Sequence, residues 1–345
     1  MPTSIEVLSP GCELEWDEFL LGHRDATLCH LAAWRSVVEK AYRIRSLFLV
    51  LREDQQLRGI LPLAHLRGPL APNRLVSMPF LDQGGVLADS EEASALLVEA
   101  AAQQARKLGA KGLDLRAPLP SSPKPGETSR FRLLLPLPAS EDELRKTVGP
   151  KVRNQIRKSE KGGLASEVVG ASSLPEFYAV FSRNMRDLGS PTHSLAFFEA
   201  MARELGDRFR LYLTRDADQQ PVGGAVAIHF KDSVSVPWAS SLRSVRSLCP
   251  NHSLYWRILR DTRESGADTF DFGRSSVGTG TFHFKKQWGA EPIPLSWTFL
   301  DRMQKPETDY YLDPRTQSAA VQIWRRLPLS LTLRLGPLIR RQLPN

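Results

Sequence analysis

Residues 47–66 read LFLVLREDQQLRGILPLAHL, and residues 211–230 read LYLTRDADQQPVGGAVAIHF. In each, an apolar strand runs into a polar Asp-Gln-Gln turn, and a second strand opened by glycine follows. That is a β-hairpin pattern. Downstream of each hairpin comes a helical stretch, then a short related strand: GAKGLDLR at 109–116 and GADTFDFGR at 266–274. Glycine closes the helix, and the apolar run after it predicts a buried strand. Either match alone could arise by chance. Two in the same order at similar spacing imply an internal duplication, with each half an α/β unit of hairpin, helix and strand.

The halves meet in a stretch of punctuation. APLPSSPKPGETS (117–129) predicts a loop. Ser140 and Glu143 form a capping box for a short helix that Gly149-Pro150 interrupts. Pro150 suits the first position of a new helix, 150–161, which Gly162-Gly163 ends. LASEVV (164–169) then opens the second half. The expected organisation is a supporting first domain at 1–139, a second domain carrying the working cleft at 140–305, and a basic tail at 306–345.

At 345 residues the chain is long enough for two cored domains. No apolar run is long enough to span a bilayer, and the N-terminus lacks the basic and apolar regions of a secretion signal. Cys12, Cys29 and Cys249 are too scattered for a disulfide framework or a zinc site. A cytoplasmic location is expected. The net charge of +8 is uneven: after Asp313 there are six arginines and no acid, while the rest is nearly neutral. A second basic cluster lies at 145–161, where Arg153 and Arg157, four apart, share one helix face. Their mutual repulsion would be offset by an anionic partner.

No P-loop, dinucleotide fingerprint, nucleophile elbow or HExxH motif is present. Nucleotide hydrolysis, nicotinamide and metal chemistry therefore lose ground. Polar, aromatic and cationic residues crowd 237–288, a mixture that suits a concave site. Asn251 is expected as the N-cap of a helix over 252–265, where Asn251 and His252 serve either the helix or an anion. Arg274 follows a buried strand, at the end where α/β sheets bind ligands; a salt bridge with Asp271 is the alternative. Lys285 is placed to hold a phosphate or a developing oxyanion.

R-x-x-I-R-K-x-E-K-G-G-L (153–164), N-M-R-D-L-G-S-P (184–191), V-P-W-A-S-S (236–241), P-N-x-x-L-Y-W (250–256), F-D-F-G-R-S (270–275) and F-x-F-K-K-Q-W-G-A (282–290) resemble FemAB-related proteins. More narrowly, they resemble the branch associated with exosortase/PEP-CTERM and exopolysaccharide loci. The resemblance is dense over 150–300. It implies an α/β fold of two tandem GNAT-like (acyl-CoA N-acyltransferase) domains, with mixed central sheets and flanking helices. Fem transferases move an amino acid from aminoacyl-tRNA to an amine of a peptidoglycan precursor. The lysine of their F-K element contacts the tRNA end, so the resemblance carries that role to Phe284 and Lys285. Neither the helical coiled-coil arm of several Fem enzymes nor the pyrophosphate loop of acetyl-CoA-using GNAT enzymes is evident.

The expected activity is acyl or aminoacyl transfer to an amine or hydroxyl of a cell-envelope or exopolysaccharide precursor. The donor would be a coenzyme A thioester or an aminoacyl-tRNA, and no metal is expected. Lys285 would stabilise the oxyanion, with Asp271 or His252 as base. Arg153, Arg157 and Arg274 would grip phosphates, and Asn251 would join them at the helix start. Trp238, Tyr255, Phe284 and Trp288 would wall the substrate. The competing expectation is a non-catalytic docking or assembly module for polysaccharide biosynthesis, held at the inner membrane face through 319–343, with Pro328 and Pro337 breaking any long helix there.

Overall fold

The computed structural model describes residues 3–117, 130–305 and 314–344. Apart from Ala117, the expected linker loop lies outside the described residues, as does 306–313 of the tail. The chain divides into two compact units: 1–128, 295–312 and 338–345 form the first, 129–294 and 313–337 the second. In chain order the elements begin β1 (Thr3–Val7), α1 (Glu13–Gly22), α2 (Ala33–Tyr42), β2 (Arg45–Glu53), β3 (Gln56–Gly68), β4 (Ala71–Val76), β5 (Leu87–Ala88), α3 (Glu91–Lys107) and β6 (Gly112–Leu115). Next are β7 (Arg130–Pro136), α4 (Glu141–Thr147), α5 (Pro150–Lys161), β8 (Ala165–Val169), α6 (Leu174–Leu188), α7 (Leu195–Leu205), β9 (Phe209–Arg215), β10 (Pro221–Phe230) and β11 (Ser233–Ser241). The chain ends with α8 (Pro250–Glu264), β12 (Thr269–Ser276), α9 (Gly280–Lys286), β13 (Glu291–Pro294), β14 (Thr298–Asp301), α10 (Pro314–Arg326) and α11 (Leu329–Arg340).

Both units repeat one plan. In the first, β2, β3 and β4 form an antiparallel meander, α3 crosses over, and β6 returns parallel to β4. In the second, β9, β10 and β11 meander, α8 crosses, and β12 returns parallel to β11. The duplicated Asp-Gln-Gln segment makes the hairpin turn in both. Asp54 and Gln55 both have positive φ (49° and 68°), which a two-residue turn between paired Glu53 and Gln56 needs. In the second copy Asp216 accepts the N–H groups of Asp218 and Gln220 through its side chain.

The strand pairing departs from the expected boundaries at 139/140 and 305/306. β7 pairs with β12 and β13 in the second sheet, while β14 pairs with β6 in the first. Apolar burial explains both. Leu133 and Leu135 of β7 enter the second core beside Phe270 and Leu259. Leu300 of β14 enters the first, with Leu113 and Leu97. Arg74 pins β14 from within the sheet. Its guanidinium donates to Asp114 Oδ1 (2.5 Å) and to the carbonyls of Leu113 (2.9 Å) and Leu300 (2.8 Å). Gly112 permits the approach, since a Cβ there would sit 2.0 Å from Leu300 O.

Pro328 separates α10 from α11, as expected, but α11 continues through Pro337 to Arg340. Only the bond to the Leu333 carbonyl is lost, near the helix end. Gly336 also relaxes the restriction proline places on the residue before it. Gly336 packs on Thr192, where a Cβ would come within 2.9 Å of Cγ2. No helix among the described residues is long and apolar enough to cross a membrane.

Candidate functional site

β11 and β12 run parallel, yet they pair only over Ser233↔Thr269, Val234↔Phe270 and Ser235↔Asp271. Beyond that point β11 follows β10 to Ser241 and β12 follows β7 to Ser276. The strands part, leaving a wedge at their carboxyl ends, the place where parallel α/β sheets receive ligands. Each departing strand carries an irregularity that bends it. β12 is out of register with β7 between Asp271 and Arg274. On the other side, three steps of β11 (Ser235 to Trp238) match two of β10 (Val226 to Ile228).

The β12 irregularity centres on Gly273, whose φ of +74° is open to glycine. Asp271 Oδ1 accepts the Gly273 N–H (2.8 Å), and Arg132 Nε lies 3.5 Å from Asp271 Oδ2. From α9, the buried Lys285 ammonium donates to the carbonyls of Gly273 (3.0 Å) and Arg274 (2.9 Å). Lys285 therefore locks the irregular end of β12, and Asp271 buttresses the same turn.

The β11 bulge redirects Trp238. Val234 and Val236 face the core under α8, but the extra residue reverses the alternation, so Ala239 faces that core instead. Trp238 turns to the α6–α7 side, with its ring 5.5 Å from Phe197 and 5.9 Å from His193. Trp238 thus does not share a wall with Tyr255 and Trp288. Pro237, at the bulge where no ladder N–H is required, was the sequence signal for this.

The helix α8 begins one residue before the expected cap. Pro250 takes the first position, where its missing N–H costs nothing, and Cys249 is the N-cap with φ 60°. Asn251 lies inside the first turn. Arg243 and Arg246 are exposed on the short turn preceding it, and α5 packs alongside α8. Burial, with Lys151 adding to it, holds the His252 imidazole down at about 4, hence neutral at neutral pH. That value is low for a base working near neutrality. The His252 ring stacks on Trp288 (5.8 Å) and meets Phe284 edge-on (5.2 Å). Its Nε2 and Trp288 Nε1 are buried without hydrogen-bond partners. Tyr255 stacks on Phe272 (5.3 Å), fully within the core, and burial raises its hydroxyl pKa. Tyr255, Phe284, Trp288 and His252 thus form one aromatic cluster.

Arg153 and Arg157 do share a face of α5, lining a small cavity with Trp256. Arg157 is exposed, but Arg153 spends Nη1 on the carbonyls of Val148 (2.6 Å) and Arg145 (3.1 Å), stapling α4 to α5. Asp142, Arg145, Lys146 and Arg153 border an open basic cavity of about 470 Å³. Arg132, unnoticed in the sequence, joins Asp271 because β7 belongs to this sheet. Among the described residues no three His, Cys, Asp or Glu side chains gather as a metal site.

Residues 149–286 match the family model described as an acetyltransferase (GNAT) domain. No curated protein sequence matches the chain. Among solved structures, FemX is similar at a TM-score of 0.66 and 16% identity, covering 86% of this chain and 96% of that one. The C-terminal domain of a putative lysylphosphatidylglycerol synthetase from Agrobacterium fabrum gives 0.56 and 13%, covering 91% and 96%. A tandem GNAT protein from the clavulanic acid biosynthesis pathway gives 0.56 and 14%, covering 89% and 100%. The chain therefore has a mixed α/β fold of two tandem GNAT-like domains.

Proposed function

We propose that the chain is an acyl- or aminoacyltransferase whose second unit accepts the donor in the wedge between β11 and β12. The observation that carries this reading is the early end of β11–β12 pairing, with the first turn of α8 following β11. A helix start with N–H groups in excess, flanked by Arg243, Arg246 and Lys151, suits the phosphates of coenzyme A or of a tRNA end. The donor's acyl group would enter the wedge beside the turn that Lys285 and Asp271 hold. An acceptor amine or hydroxyl then attacks the carbonyl carbon. The bond to the thiol or ribose oxygen breaks, and the acceptor's proton passes to that leaving group. Positioning and fixed dipoles supply the acceleration. The acceptor class we favour is a cell-envelope or exopolysaccharide precursor.

Titration calorimetry with coenzyme A and with a stable mimic of an aminoacyl-tRNA end tests this reading. One of them should bind saturably and weaken at least tenfold in Arg243→Glu/Arg246→Glu. If neither binds, the reading is wrong.

A second reading rests on α11. Leu331, Leu335 and Leu338 share one helix face and remain 39%, 38% and 50% exposed, with Arg334 beside them. An exposed apolar stripe among arginines suits the surface of an anionic bilayer and supports a peripheral position at the inner membrane face. Flotation with phosphatidylglycerol-containing vesicles should be lost in Leu331→Glu/Leu335→Glu. Flotation unaffected by that change refutes it.

A further inference from the structure

The first unit holds a cleft for which the transferase reading has no use. It lies where α2 ends, β2 begins and β3 ends, and it encloses about 330 Å³. Four arginines line it: Arg43, Arg45, Arg67 and Arg341. No aspartate or glutamate lines it, and none of the four side chains makes an ion pair or hydrogen bond among the described residues. All four are exposed. Elsewhere in this unit the arginines are largely engaged: Arg52 with Glu6 and Glu15, Arg58 with Asp89, Arg74 with Asp114, Arg106 with Glu99.

The cleft is a built feature. Arg45 is the cross-strand partner of His65, so both side chains stand on one face of the sheet. His65 is buried, with Nε2 2.5 Å from Asn73 Oδ1, which fixes its ring beneath the arginines. One side is closed by Gln342. Its side-chain oxygen accepts the Leu70 N–H (3.2 Å), and its amide donates to Leu338 O (2.7 Å). Gly68 leaves room for this amide, since a Cβ there would fall 2.2 Å from Gln342 Oε1. Arg43 caps α2 with φ 56°, a backbone state that glycine adopts more readily. A helix C-terminus favours one nearby cation; it does not account for four.

We propose that this cleft binds a phosphate-bearing anion, with the guanidinium groups of Arg43, Arg45, Arg67 and Arg341 donating to its oxygens. Planar guanidinium forks match phosphate oxygens, and an anion relieves the repulsion among four unpaired cations. The phosphate could be carried by a soluble nucleotide diphosphate or by a lipid headgroup; the chemistry recognised is the same.

Calorimetry on the full chain tests this with three probes at low salt: inorganic pyrophosphate, uridine diphosphate, and dihexanoyl phosphatidylglycerol below its micelle concentration. The variants are Arg45→Gln/Arg67→Gln and the exposed control Arg24→Gln. Removing a charge-assisted contact should weaken binding by about tenfold per arginine. The expected result is one saturable site, present in parent and control and lost in the double variant, whose melting temperature stays at the parental value. Binding of uridine diphosphate alone assigns a soluble source, and of the lipid alone a headgroup. Absence of binding by all three probes, or an equal response of control and double variant, overturns the proposal. Coenzyme A binding by the second unit is unaffected in either event.

Discussion

Replacing Lys285 by methionine separates a positioning lysine from one that meets the substrate. Lys285 is 8% exposed, and its ammonium makes hydrogen bonds of 3.0 and 2.9 Å to Gly273 O and Arg274 O. Hydrogen bonds with a charged partner contribute about 1.5 kcal/mol each at the lower end, so losing both costs about 3 kcal/mol. Methionine keeps an unbranched apolar stem against Phe282 and the sheet, so little cavity is added. For a unit of this size that loss lowers the melting temperature by about 6–12 °C. Differential scanning calorimetry of parent and variant reads the shift directly. A melting temperature within about 2 °C of the parent would refute the positioning role, because two half-buried carbonyls cannot lose a charged donor at no cost. If transfer activity then vanished without a thermal effect, the lysine would instead be touching the reacting group.

Asp114→Ala should destabilise the first unit by about 3–5 kcal/mol, since it strands Arg74 in the core; urea unfolding measures this. Gly273→Ala should cost about 1–2 kcal/mol, from its positive φ, with a Cβ placed 3.3 Å from Val236 O; thermal melting checks it. Burial depresses the His30 and His252 imidazoles to about 4 from 6.5, so the unfolded chain takes up protons first. Their contribution is complete above about pH 6.5 and is lost as pH falls toward 4. The urea midpoint of His252→Asn should therefore fall less between pH 7 and 5 than that of the parent.

The local parts of this fold were plain in the sequence. Hairpin turns and the helix beginning at Pro150 depend on neighbouring residues, and they stand where the pattern put them. The exchanged strands were not legible. TFLD and RFRLLLP read as strands anywhere, and only distant partners such as Arg74 and Phe270 decide which sheet takes them. The site was half legible. The crowding at 237–288 surrounds the wedge proposed for the donor, yet Trp238 faces away from Tyr255 and Trp288 because one extra residue at Pro237 reverses the alternation. Lys285 shares the buried face of α9 with Phe282, three residues earlier, which marks an inward side chain that the F-K resemblance obscured.

Strand β14 completes the first sheet, yet the whole of the second sheet lies between it and its partner β6. During synthesis the ribosome must therefore deliver the later domain before the earlier one can finish. Until residues 298–301 emerge, β6 remains an open edge with the Arg74 guanidinium short of one carbonyl. Nascent first domains are then exposed to edge pairing with other chains for the time needed to make about 180 residues, roughly 10–40 s at ordinary elongation rates. Chaperone demand should accordingly concentrate on the amino-terminal half, although that half is read first.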